Sequence, residues 1–79
     1  MSKIVKLDQT IYALTQQYPE MVTILHDLGF VEIVKPMMMN TVGRFMTLQA
    51  GASLRNINIE MVKNTLVNHG FIIMEENNE

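Results

Sequence analysis

KPMMMNTVGRFMTLQAGASL, Lys35 to Leu54, decides how the chain is read, because two helix starts follow each other closely within it. Pro36 suits the first turn of a helix, where its missing N–H costs nothing and its fixed φ is already helical. A third helix of the chain is therefore predicted from Pro36 through Met37, Met38 and Met39 to about Met46, with Val42 and Phe45 continuing its buried face. Thr47 reads as a fresh N-cap. It opens a short fourth helix, Leu48 to Arg55, whose Ala50, Gly51, Ala52 and Ser53 would let another helix approach closely.

Toward the N-terminus the pattern is also helical. Asp8 or Thr10 offers an N-cap oxygen, and Ile11, Leu14, Thr15 and Tyr18 follow at the spacing of one helix face. Pro19 ends that helix and begins a second. In the second helix Met21, Ile24, Leu25 and Leu28 form an apolar stripe from which Glu20, Thr23 and Asp27 are absent. Gly29 closes it as a left-handed C-cap, and Phe30 is placed to fold back onto the last turn. Val31 to Val34 reads as extended or irregular.

Toward the C-terminus, Asn56-Ile57-Asn58 is a turn and Asn58 caps a last helix with Ile59, Val62, Leu66 and Val67 on its inner face. Gly70 ends that helix, and Phe71 tucks back as Phe30 does. Ile4 to Leu7 and Ile72 to Met74 are short apolar runs that could pair as a minor two-stranded element, and the acidic tail 75–79 is expected to fray. The fold class expected is all-α: one domain, 1–79, a compact array of about five short helices.

Composition narrows the function classes. A hydrophobic fraction of 48% with 18% charged residues excludes a disordered chain. Six Lys/Arg against eight Asp/Glu leave a formal net charge of −2, which gives no electrostatic footprint for a phosphate backbone, so nucleic acid is not an expected partner. The absence of cysteine removes disulfides, thiolate nucleophiles and thiolate metal sites. No apolar run is long enough to span a bilayer and Met1-Ser2-Lys3 leads into no signal-peptide core, so the chain reads as cytoplasmic.

The order of features is familiar: a capped first helix ending in Tyr18-Pro19, a second closing at Gly29-Phe30, a proline-led middle, Thr47-Leu48 with Ala50, and an Asn-capped last helix. From Ile4 to about Phe71, and most specifically in NTVGRFMTLQAGA (Asn40 to Ala52), the chain resembles the bacterial domain-of-unknown-function family 1858. The resemblance implies an array of short helices. Many members look like redox modules with a Cys-x-x-Cys pair after the glycine that ends the second helix. Here Phe30 to Pro36 holds no cysteine, so the redox reading does not carry over. The chain resembles instead the cysteine-free branch, found alone or joined to sensor proteins with hemerythrin-like and PAS domains, which implies a regulatory partner of that sensor type.

Three groups of residues are candidates for function. Met37, Met38 and Met39 spread over about 200° of a helix, too wide for one core face. Either they fill a core approached from two sides, or one of them lies on an adaptable binding surface. Asn40, Thr41, Gly43 and Arg44 place an amide, a hydroxyl, bare backbone and a guanidinium within about one turn. They could hold an anion, or serve local structure. His26 and His69 each precede a helix-ending glycine, where a protonated ring suits the helix dipole. A copper or haem site joining them to the methionines is the remote alternative.

No catalytic constellation is present, and neither a cofactor nor a metal site is expected. Two readings follow. In the first the chain is a non-enzymatic regulatory module that uses the Pro36 to Arg44 helix to bind a partner protein or a second copy of itself, with Met38, Met39 and Phe45 as anchors. Met39→Glu should then abolish association and leave the monomer folded. In the second, a pocket beside the methionine helix binds a small anionic molecule held by Arg44.

Overall fold

Two threonines begin two helices and meet each other. The Thr10 hydroxyl accepts from the Ala13 amide and the Thr47 hydroxyl from the Ala50 amide, and the two residues face one another in an isolated antiparallel bridge. Around this pair the next amides are also paired: Ile11 donates to the Met46 carbonyl, Leu48 to Gln9 and Gln49 to Leu7. Ile11 and Ala13 in the one helix and Leu48, Gln49 and Ala50 in the other, whose amides have no partner inside their own helix, are thereby satisfied.

The computed structural model describes residues 3–74. They form β1 (Lys3–Lys6), α1 (Ile11–Gln17), α2 (Met21–Leu28), α3 (Pro36–Asn40), a 3₁₀ turn (Val42–Arg44), α4 (Leu48–Leu54), α5 (Ile59–Asn68) and β2 (Phe71–Met74). The fold is an array of five short helices with a small parallel sheet joining the two ends, Lys3 beside Phe71 and Lys6 beside Met74. The expectation for the tail 75–79 lies outside the described residues.

The core is built from the faces that periodicity marked. Ile11, Leu14, Met21, Leu25, Phe30, Leu48, Val62 and Leu66 are fully or almost fully buried, and each contributes about 1.5–3 kcal/mol by leaving water. Gly29 takes φ 118°, and the Phe30 amide donates to the Leu25 carbonyl at 2.9 Å, which turns the ring back under α2. Gly51 is there for space. A β-carbon on it would lie 3.1 Å from Ile11 Cδ1 and 3.3 Å from both the Met46 sulfur and the Phe30 ring. Asn58 caps α5 through the amides of Glu60 and Met61.

At the sheet, Tyr18 packs edge-on to Phe71 with ring centres 5.1 Å apart, and its hydroxyl bonds both the amide and the carbonyl of Ile4. The Lys3 ammonium lies 5.0 Å over the Phe71 ring and donates to Glu20 at 2.8 Å. The hydrogen bond from Lys3 holds the Glu20 carboxyl below its ordinary pKa.

Three expectations are corrected. The third helix does not run to Met46: it ends at Asn40, because Thr41 turns its hydroxyl onto the Met37 carbonyl at 2.8 Å and its amide onto the Met38 carbonyl, leaving helical geometry at ψ −82°. The 3₁₀ turn that follows rotates the next residues, so Val42 is only partly buried and Phe45 is 84% exposed instead of continuing a buried face. Val67 is also exposed, since Val62 and Leu66 set the inner face of α5 and the next residue is rotated about 100° away from it.

Candidate functional site

The three consecutive methionines have three different fates. Met37 is 79% exposed, Met38 is half-buried, and Met39 is buried with its sulfur accepting from the Thr15 hydroxyl at 3.4 Å. Met39 is therefore a core residue, not the surface anchor expected of it, and a glutamate there would put a charge into the core. Gly43 is buried against it; a β-carbon would lie 3.2 Å from the Met39 sulfur.

The polar residues of this stretch serve local structure. The Thr41 hydroxyl is committed to the Met37 carbonyl. Arg44 donates through Nε to the Asn40 carbonyl at 3.0 Å, stacks its guanidinium 4.2 Å over the Tyr12 ring, and reaches the Tyr12 hydroxyl at 3.3 Å. Asn40 and Pro36 are exposed. The Thr41 hydroxyl and the Arg44 guanidinium are thus each engaged within the chain, and Arg44 ties the 3₁₀ turn to α1.

What the break after Asn40 creates is an apolar hollow. A cleft of about 100 Å³ is walled by Phe30, Ile33, Met38, Val42, Met46 and Leu54, with Glu32 and Arg55 as its polar members. It adjoins a shallower depression formed by Val42, Phe45, Met46 and Ala50, so that Val42 and Met46 belong to both. Phe45 and Leu54, at 84% and 67% exposed, stand on this face as large apolar groups in water. Of the residues singled out from the sequence, Met38 and Phe45 belong to it, while Pro36, Met39, Asn40, Thr41, Gly43 and Arg44 do not line it.

Ile33, Met46, Leu54 and Arg55 were missed by sequence reasoning. Leu54 carried a usable signal. In α4 the buried positions are Leu48, Gly51 and Ala52, and Leu54 falls outside that phase, so a large apolar residue there is committed to the surface.

Charge at the cleft is uneven. Glu32 is paired with Lys35 at 3.1 Å, whereas Arg55 forms no ion pair with the described residues. Among the described residues no group of three His, Asp or Glu could hold a metal ion, and no helix is long and apolar enough to cross a membrane. His26 lies beside Asp27 at 3.6 Å, and the His69 ring meets the Thr65 carbonyl at 2.9 Å, each at its own helix end.

A family model described as a domain of unknown function, DUF1858, matches residues 5–63. The chain belongs to this family. Its fold recurs in the crystal structure of the conserved domain protein from Streptococcus pneumoniae TIGR4, with a TM-score of 0.90, 28% sequence identity and 98% of each chain covered. That likeness takes in β2 as well, which the DUF1858 match does not reach. No curated protein matches the chain.

Proposed function

We propose that this DUF1858 domain is a non-enzymatic interaction module that binds a partner protein through the apolar face formed where α3 breaks into the 3₁₀ turn. One observation carries the reading: Phe45 and Leu54 stand exposed beside a cleft sized for a side chain. Large apolar groups clustered around a concavity are the usual mark of a protein-binding surface, whereas isolated ones need no explanation. The partner expected from the cysteine-free branch is a sensor-type protein with hemerythrin-like and PAS domains, and the working compartment is the cytoplasm.

The reading as a small-molecule site has less support. Arg44, the group expected to hold an anion, is turned onto Tyr12.

The test is quantitative co-purification of the tagged full chain from its own host, with Phe45→Glu compared against Val67→Glu, an equally drastic change on the exposed side of α5. Phe45→Glu should lose the partner while Val67→Glu retains it, both variants keeping the melting temperature of the parent. Equal retention by both, or equal loss, would refute the assignment of this face.

A further inference from the structure

Resting on the reading of this face as a protein-binding surface, we infer that the Met38 thioether is a modification site that regulates it: a peroxide converts Met38 to the sulfoxide, and the polar product turns the partner away. The chain has eight methionines and no cysteine, so thioethers are the sulfur groups it offers to a two-electron oxidant. The fold sorts the seven described ones by access and by consequence.

Three sulfurs are held on the core side. Met21 is fully buried. The Met39 sulfur accepts from the Thr15 hydroxyl, which engages a lone pair that an oxidant would need, and it lies against Gly43. Met46 lines the cleft, but its sulfur sits 3.3 Å from where a β-carbon on Gly51 would stand, beside Ile11 and Phe30. Three other methionines are open to water without bearing on the cleft: Met37 lines no part of it, Met61 lies on α5 and Met74 ends β2. Met38 meets both conditions. It is half-buried, so solvent reaches it, and it walls the cleft together with Phe30, Ile33, Val42 and Leu54.

In the reaction a lone pair of the Met38 sulfur attacks one oxygen of hydrogen peroxide, and the S–O bond forms as the O–O bond breaks. The sulfur gives up two electrons. The departing hydroxide takes the proton left on the transferred oxygen and leaves as water. The product carries a strong hydrogen-bond acceptor where the thioether had a weak one. Under a bound partner that oxygen either loses its water unpaired or draws in the guanidinium of Arg55, the cationic donor of the lining, and in both cases the apolar socket is gone. Binding should weaken at least about tenfold. The fold should persist, because Met39 and not Met38 is the core residue of α3.

The experiment treats the tagged full chain with hydrogen peroxide, maps the sulfoxides by peptide mass spectrometry, and measures retention of the protein that co-purifies from its host. Met37 and Met38 should oxidise well before Met21 and Met39, with the circular dichroism spectrum unchanged. Retention should fall at least about tenfold in step with the Met38 sulfoxide and return after treatment with methionine sulfoxide reductases. Met38→Leu should keep the partner through the same treatment, Met37→Leu should lose it, and Met38→Gln, polar at the same place, should lose it without peroxide. Met38 as slow to react as Met39, full retention with Met38 oxidised, or equal loss in Met38→Leu and the parent overturns the inference and leaves the protein-binding reading in place. If Phe45→Glu and Val67→Glu retain the partner equally, that reading fails and the inference falls with it.

Discussion

Met37 and Met39 are two residues apart and should differ greatly in what they contribute to stability. Met39 is 7% exposed, and its side chain fills space between Thr15 and Gly43. Met39→Ala removes that filling and leaves a cavity. The Thr15 hydroxyl keeps its bond to the Tyr12 carbonyl at 3.0 Å, so no buried donor is orphaned and the cost is that of the cavity and the lost burial. For a buried methionine that is about 2–5 kcal/mol, with about 3 kcal/mol expected here. Against the roughly 4–12 kcal/mol typical of a chain this size, the loss is large. It corresponds to a fall in Tm of about 10–25 °C. Met37→Ala, at 79% exposed, should stay within about 0.5 kcal/mol of the parent. Urea unfolding followed by circular dichroism measures both. A loss below about 1 kcal/mol for Met39→Ala, or equal losses for the two variants, would refute the placement of Met39 in the core.

Other perturbations follow from the same packing. Gly51→Ala puts a methyl group 3.1–3.3 Å from Ile11, Met46 and Phe30, and overpacking of this kind should cost about 1–3 kcal/mol by calorimetry, although alanine is intrinsically the better helix former. Asn58→Ala removes the acceptor for two α5 amides and should cost about 1 kcal/mol, while Asn58→Asp should cost little; chemical unfolding separates them. Glu20 is held below its ordinary pKa of 4.5 by the Lys3 hydrogen bond, so the stability it contributes is present above that value and is lost as pH falls through its folded-state pKa. In Lys3→Met, an NMR titration should show the Glu20 midpoint returning upward toward its ordinary value.

The parts of this fold that could be read in advance are those set by local chemistry. The α2 stripe, the Gly29-Phe30 reversal and the caps at Thr47 and Asn58 each depend on residues within a turn or so of one another. The end of α3 was not legible, because a threonine can bond back to a preceding carbonyl within a continuing helix or at a break, and here tertiary packing against α1 selects the break. The methionine phase was hidden for a similar reason. Three identical letters carry no direction, and it is Thr15, on α1, that marks which sulfur is inside. The cleft is less legible still, since its walls come from Phe30 and Ile33, from Met38 to Met46, and from Leu54 and Arg55, which only the folded chain brings together. Phe45 reads from the sequence as the continuation of a buried helix face, and only the break after Asn40 exposes it.

Amide chemical-shift mapping would show whether the face carrying Phe45 and Leu54 is where this domain meets its partner. The isotope-labelled chain would be titrated with the protein that co-purifies with it from its host. The expected result is a set of shifts gathered on Val42, Phe45, Met46, Ala50, Leu54 and Arg55, with the outer side of α5 unmoved. Shifts gathered on Met61 and Val67, or on the sheet at Ile72 and Met74, with the Phe45 face silent, would contradict it.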